Sequence, residues 1–550
     1  MTFPVPHIPQ RADLSSRWYD AGHFGAETLG QRLLKGAKTF PNTRMIFHST
    51  EHPDECDLPA MVRRSVAFAG GLWKLGYRPG DVLAVQVPNW LEGAITYQAA
   101  ILLGLVTVPI VHIYGPSEVS FIVGQSGARG LVVPERWRTI DYRDRVEAVR
   151  KVAELDHVIV IGDKPFDNSI LWRSVEGADD LDGAASVSRD AAIGSISADD
   201  PSLLIYTSGT TAEPKGVLHS HNTLISEVAS LHGVTSSGPG STGLASFPAG
   251  HIAGVLNVLR LFLEGTSYVL LDHYDPAVAA EMVEKYGISS TAGAPFHLTT
   301  LMEAARSHHR DLSSLTGYMV GAASVPYSLV EEADRFGIKA FRAYGSSEHP
   351  VLTTGSPQHS LVKRASTDGA MTRGNEVLLF DDNDLDVTVG GEGEVLCRGP
   401  EQFLGYTNPA FNDDAFTTDG WFRTGDIGSI DADGYLRITD RKKDLIIRGG
   451  ENIASKEVED ILAEMPQVLE AAVVGAPDAR MGERVHAFVL ARNGAPLSMS
   501  DVAAHFQAKG VARQKTPEGI DVVAELPRGM SGKVKKFELR QQLRDREPHR

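Results

Sequence analysis

"YTSGTTAEPKG", residues 206–216, follows directly on the apolar run "SLLI" and packs three Gly or Pro residues, five hydroxyl or phenol side chains and one lysine into eleven positions. Glycine frees backbone N–H groups to face a ligand. With Ser and Thr hydroxyls and an ammonium beside them, they suit an anion with several oxygens, commonly a polyphosphate. The stretch is not a P-loop of the G-x-x-x-x-G-K-[ST] type. Counting from Gly209, Pro214 stands where the second glycine belongs, and Gly216 follows Lys215 in place of Ser or Thr. Taken alone, such a cluster reads equally as a solvated surface turn.

The sequence on either side supplies the fold. From about residue 60, helical stretches alternate with short β-branched runs: "MVRRSVAFAGGLWKLG", "DVLAVQV", "WLEGAITYQAAILLG", "TVPIV" and "GLVVP". That alternation is the signature of parallel sheets wrapped by helices, and it recurs through "SLLIYTS", "SYVLL", "ISSTAGA", "GYMVGA" and "KAFRAYG". Beyond residue 375 the character changes to strands separated by acidic, glycine-containing turns, "NEVLLFDDND", "GEGEVLCRG" and "GSIDADGYLRITD", which predict antiparallel hairpins. After "DRKKD" comes a mixed piece with helices expected at "SKEVEDILAEM" and "SMSDVAAHFQAKG" and a strand at "EAAVVGAPD". At 550 residues the chain exceeds what one core serves, and the change near Arg441 to Lys443 divides it into 1–442 and 443–550.

Composition narrows the partners. A net charge of −17 opposes nucleic acid and anionic membrane, because each phosphate approached meets a repulsive average field. The segment "GAITYQAAILLGLVTVPIVHI", residues 93–113, is apolar enough to raise a membrane span. Gly104 and Pro109 instead predict a buried helix followed by a buried strand, so no transmembrane segment is expected. Cys56 and Cys397 lie far apart with no metal-ligand spacing and read as packing residues of a reducing compartment. "MTFPVPHIPQ" has no basic segment followed by an apolar core, and "DREPHR" is not a peroxisomal tripeptide; the expected compartment is the cytoplasm.

Four further stretches join the first: "YGSSE" (344–348), "GWFRTGDIG" (420–428), "GYLRITDRKKDLIIRGGENIASKEVE" (434–459) and "LPRGMSGKVKK" (526–536). In this order the set resembles the motifs of the adenylate-forming, AMP-binding superfamily, and within it the acyl-CoA synthetases, over residues 60 to 540. The resemblance implies an α/β fold: a large N-terminal domain of β/α layered sheets with a small β-barrel-like part, and a small, mobile α+β C-terminal domain. It implies activation of a carboxylic acid as acyl-AMP and transfer to coenzyme A, with ATP and Mg²⁺. The chemistry has a physical rationale. A carboxylate resists attack by a thiol because oxide is a poor leaving group, whereas attack on the α-phosphorus of ATP replaces it with AMP.

Residue roles follow from the resemblance. Thr207, Ser208, Gly209, Thr210, Thr211 and Lys215 correspond to the phosphate-binding loop, with Ala212 standing where the family usually has glycine. Gly321, Ala322 and Ala323 form one wall for adenine and Tyr344 the other, followed by Gly345, Ser346 and Ser347 of the same nucleotide site. Glu348, with Thr207, is implied as a Mg²⁺ ligand. Asp426 and Arg441 correspond to the ribose-binding pair, and Gly449 and Gly450 to the passage for the pantetheine arm. Lys443 falls at the hinge. Lys533 is implied as the mobile catalytic lysine, with Lys215, Glu348 and His251 also catalytic. His219 and His221 make too few ligands for zinc.

The pocket segment "FPAGHIAGVLN" lacks the Asp that pairs an amino acid's ammonium. Small Gly254, Ala343 and Gly345 beside apolar Phe247 and Val255 suggest a fairly bulky aliphatic, alicyclic or aromatic acid. Three alternatives stay open: an adenylating enzyme that loads a separate carrier protein, a luciferase-like oxidase, and a non-catalytic nucleotide-binding protein. The oligomeric state is also open, a homodimer included.

Overall fold

The apolar run at 93–113 shows how local sequence builds the structure, a computed structural model. Its first half is the helix Leu91–Leu103, closed by Gly104 at φ 67°, and its second half is the strand Val106–Pro109, buried at every residue. Glycine ends the helix because the left-handed conformation satisfies the last carbonyls without a Cβ clash. The structure describes residues 4–177, 190, 192–207, 214–234, 237–449, 451–478, 480–529 and 532–546. Among them no helix is long and apolar enough to cross a membrane.

Two large sheets make the N-terminal part. The first has eight strands, with Val106–Pro109, Val82–Val85, Gly130–Pro134 and His157–Ile161 parallel in its body. Pro201–Thr207 joins parallel to Val106–Pro109, and Lys215–Ser220 and Gly405–Tyr406 then add antiparallel at that edge. The second sheet has thirteen strands. Its parallel body runs through Ser267–Leu271, Thr242–Ala245, Ser290–Gly293, Gly317–Val320 and Ala340–Tyr344. Beyond Ala340–Tyr344 it turns antiparallel through Thr353–Thr354, Gly369–Met371, Tyr435–Arg441, Phe422–Ile430, Glu392–Arg398 and Glu376–Phe380. The hairpins expected after residue 375 are therefore a continuation of the parallel sheet. The antiparallel run ends at Arg441, and a five-stranded sheet begins with Ile446–Arg448.

Parallel strands covered on both faces need apolar residues throughout, and a large core duly joins the first sheet to the helices Leu58–Lys74 and Leu91–Leu103. The alternation read from residue 60 omits the first part of the chain. There the helix Leu29–Thr39 and the strand Arg44–His48 also belong to the N-terminal layers, the strand pairing parallel with Ser267–Leu271.

The place where the second sheet changes from parallel to antiparallel is held by a buried ion pair. Arg342 Nη2 reaches both oxygens of Asp368 at 2.6 and 2.7 Å, and its Nε donates to Oδ1 at 2.8 Å. Asp368 Oδ2 also accepts from the Ile438 N–H at 2.7 Å, which ties Ala340–Tyr344 to Tyr435–Arg441. Removing one partner of such a pair strands the other charge in the interior. Asp368→Ala should therefore lower the unfolding free energy by about 3–5 kcal/mol, measured as a lower urea midpoint at unchanged slope; a wild-type midpoint contradicts the assignment.

Candidate active site

Asp426 lies in the strand Phe422–Ile430, buried, and pairs in register with Arg441 on the neighbouring strand. Its Oδ1 meets Arg441 Nε at 2.8 Å and its Oδ2 accepts from the Tyr344 hydroxyl at 2.6 Å. Burial first, and then the Asp426 charge, hold the Tyr344 phenol well above its ordinary pKa, so it stays a donor. Three residues assigned from separate motifs thus meet through Asp426, which lies mid-strand, while Arg441 and Tyr344 end their strands. Four residues on from Tyr344, Glu348 accepts at Oε1 from the Tyr406 hydroxyl at 2.7 Å, and its carbonyl takes the Phe403 N–H at 2.9 Å. Its Oε2 accepts no hydrogen bond among the described residues, so a hard oxygen donor of the kind Mg²⁺ prefers is left free.

Thr207 and Lys215 face each other as a strand pair, so the glycine- and hydroxyl-rich run between them leaves and returns at one point. The strand Pro201–Thr207 is buried up to Tyr206 and emerges at Thr207. Ser208, Gly209, Thr210, Thr211 and Gly450 lie outside the described residues. The Lys215 ammonium sits 4.8 Å from the ring centres of both Tyr406 and Phe411. Ala322 has φ 64°, a left-handed conformation that costs a non-glycine residue energy and marks the loop expected against adenine.

Lys533 comes from the far end of the chain to the same place. Gly529 donates its N–H to the Lys533 carbonyl at 2.7 Å. A Cβ placed on Gly532 would lie 3.2 Å from Ala294 Cβ and 3.5 Å from His297 Cε1, so Gly532 seats directly on the N-terminal part. Arg528 adds a contact 5.2 Å above the Phe296 ring. Burial pushes the Lys533 ammonium down to about 7; Arg441 and Lys443 act in the same direction, and Asp426 and Asp444 oppose them. Burial also lowers Lys443, to about 8. Hydrogen bonds flank Lys443 on both sides. Asp440 accepts from the Ser455 N–H at 2.5 Å and its hydroxyl at 3.1 Å, and Asp444 accepts from Arg540 at 2.5 Å. Gly449 has φ 60°, and a Cβ there would strike Met481 Cε at 2.5 Å.

The other assigned residues divide. His251 caps the helix Ile252–Leu263; burial lowers its imidazole to about 4, and its Nε2 has no partner among the described residues. His219 is engaged internally, Nε2 at 2.7 Å from the Ser347 carbonyl and Nδ1 at 3.1 Å from Thr223 Oγ1. Ser346 donates its N–H to the His349 carbonyl at 2.9 Å. Gly254 and Gly345 stand where the backbone is crowded. A Cβ at Gly254 would stand 2.1 Å from the Pro248 carbonyl, and one at Gly345 2.0 Å from that of Pro350. Backbone crowding requires both glycines, and Phe247 and Val255 are buried in the core. Two residues escaped the sequence reading. Tyr406 was visible only as an aromatic after "FLG". His297 follows the strand "STAG" by a proline, and with Ser246 and Pro248 it lines a cavity of about 100 Å³.

Comparison with known proteins gives one answer. The family described as "AMP-binding enzyme" matches residues 59–407, and "AMP-binding enzyme C-terminal domain" matches 457–533. The medium-chain fatty-acid–CoA ligase of Escherichia coli (strain K12) is 30% identical over 95% of this chain and 91% of its own. A 3-[(3aS,4S,7aS)-7a-methyl-1,5-dioxo-octahydro-1H-inden-4-yl]propanoyl:CoA ligase of Mycobacterium tuberculosis (strain ATCC 25618 / H37Rv) is 34% identical over 86% of this chain and 91% of its own. The crystal structure of an anthranilate CoA ligase with anthranoyl-AMP superimposes with a TM-score of 0.85, at 22% identity, covering 95% of this chain and 98% of that one.

The cationic cluster around Lys533 is open to titration. In nucleotide-free protein an amine-selective reagent should label Lys533 with a midpoint near 7, against 10.5 for an ordinary lysine, the amine being neutral and reactive above that pH. A bound triphosphate favours the ammonium and should move the midpoint upward. Labelling at the ordinary lysine midpoint would mean that Lys533 is not held in this cluster.

Proposed function

The chain belongs to the AMP-binding enzymes, acid–thiol ligases that work with ATP, Mg²⁺ and coenzyme A, and we propose that it joins a carboxylic acid to coenzyme A in two steps on one site. In the first, the acid's carboxylate attacks the α-phosphorus of ATP and pyrophosphate leaves. In the second, the thiol of coenzyme A attacks the acyl carbon and AMP leaves. Mg²⁺, when bound, withdraws charge from the phosphates; Glu348 and Thr207 are the residues proposed to hold it.

The observation that carries this reading is the placing of Lys533 among Asp426, Arg441 and Lys443, with Gly532 seated against Ala294 and His297, because it brings a cation from the C-terminal part to a frame suited to a nucleotide. Tyr344 offers a flat face whose hydroxyl is anchored on Asp426. Asp426 and Arg441 suit ribose hydroxyls, and Lys215 with the loop 207–215 suits the β- and γ-phosphates. Residues 1–442 and 443–550 act as two domains, with the closed arrangement serving the first step. Rotation about Lys443 then presents the segment at Gly449 and Gly450 for the thiol. Such a rotation has to break the bonds of Asp440 to Ser455, whereas Asp444 and Arg540 move together.

The acid carries an uncharged α-carbon and a bulky apolar body. The absence of an acidic residue from "FPAGHIAG" supports this, as do relatives named for a medium-chain fatty acid and for an indanyl propanoate. Delivery to a carrier protein is the second reading, distinguished by turnover with free coenzyme A against a phosphopantetheinylated carrier. The unpaired, buried Cys56 and Cys397 support a cytoplasmic setting.

A panel of carboxylic acids should reveal AMP release that requires both ATP and coenzyme A; cleavage between the β- and γ-phosphates would overturn the reading. A cation about 4 Å from developing charge contributes on the order of 4 kcal/mol at an effective dielectric of 20, or roughly a thousandfold in rate. Lys533→Ala should lose that factor in acyl-AMP formation and keep wild-type conversion of supplied acyl-AMP to thioester. Equal loss in both steps would remove Lys533 from the role.

A further inference from the structure

We propose that Tyr406 is a positioning residue that holds Glu348 and Lys215 in one fixed relation, so that a carboxylate and an ammonium from different sheets act on the same triphosphate. The inference rests on the roles given above to Glu348 and Lys215.

Tyr406 ends the two-residue strand Gly405–Tyr406 at the edge of the first sheet, in register with Val217. Its backbone is fixed on every side. The flanking N–H groups of Leu404 and Thr407 donate to the Leu218 and Gly216 carbonyls at 2.7 and 2.9 Å. Its own N–H and C=O are taken by the Asn412 side chain at 2.8 and 2.9 Å. From this anchor the side chain does two things. Its ring carries the Lys215 ammonium at 4.8 Å, a cation–π contact made within the first sheet. Its hydroxyl donates to Glu348 Oε1 at 2.7 Å, and Glu348 follows the last parallel strand of the second sheet. The Phe403 N–H repeats the link to the Glu348 backbone. Lys215 and Glu348 are carried by different sheets, and a carboxylate and an ammonium that must grip one ligand are brought into one relation by a connection of this kind. The hydroxyl occupies Oε1, and Oε2 accepts no hydrogen bond among the described residues.

Tyr406→Phe separates this role from packing, because it keeps the buried ring and its contact with Lys215 and removes only the hydroxyl. Calorimetric binding of ATP measured across a Mg²⁺ series should show the half-saturating Mg²⁺ concentration raised roughly tenfold, the effect of losing one hydrogen bond to a charged group. Binding of ATP without Mg²⁺ should stay at the wild-type level. Tyr406→Leu, which removes the ring as well, should weaken Mg²⁺-free binding too. A wild-type Mg²⁺ dependence in Tyr406→Phe overturns the proposal. Glu348→Gln in parallel tells the two readings apart. If it shifts the Mg²⁺ dependence and Tyr406→Phe does not, only the positioning role fails; if Glu348→Gln itself changes nothing, the metal role of Glu348 fails.

Discussion

A buried carboxylate has to be neutralised, and the way Asp426 is neutralised organises the site. Its two oxygens are taken by a guanidinium and a phenol hydroxyl from two other strands, Arg441 by direct strand pairing and Tyr344 from the last parallel strand. The cost of stranding this charge in the interior is several kcal/mol, which ties the relative position of three strands to one carboxylate. Because Arg441 stands two residues before Lys443, the same pairing fixes the point from which the C-terminal part departs. The ion pair of Arg342 with Asp368 reinforces this from beneath, on the strands that carry Tyr344 and Arg441.

Arg441, Lys443 and Lys533 gather beside Asp426 and Asp444. Burial first, and then the neighbouring cations, drive both lysines toward neutrality against the pull of the two carboxylates. A polyanion placed among these cations favours the charged form of both lysines, so the proposed nucleotide would stabilise the arrangement that holds it. Asp440 also holds Ser455 through its N–H and hydroxyl, which ties the strand before Lys443 to the helix after it.

Much of the fold was legible because the local rules act locally. Gly104 ends a helix whatever lies around it, and runs such as "GLVVP" and "SYVLL" are strands in the structure at the same residues. The candidate site was read as a set of motifs, each confined to a short stretch, and the structure brings Tyr344, Asp426 and Arg441 of three of them together. Glycine is a double-valued signal, since function and backbone crowding give the same residue: at Gly254 and Gly345 carbonyl oxygens lie about where a Cβ would be. Tyr406 carried no periodicity or spacing to distinguish it from a core aromatic, and its partner Glu348 lies fifty-eight positions earlier.

Sequence by itself determined the elements, the order of the motifs and the family, because helix caps, strand alternation and glycine-rich turns depend on neighbours a few residues away. Only the tertiary structure decided which groups meet. Tyr344 and Asp426 are eighty-two positions apart, and Lys533 is farther still from both. Their contact depends on sheet register, on the seating of Gly532 against Ala294 and His297, and on how buried charges are paired, and those are settled by the whole chain at once.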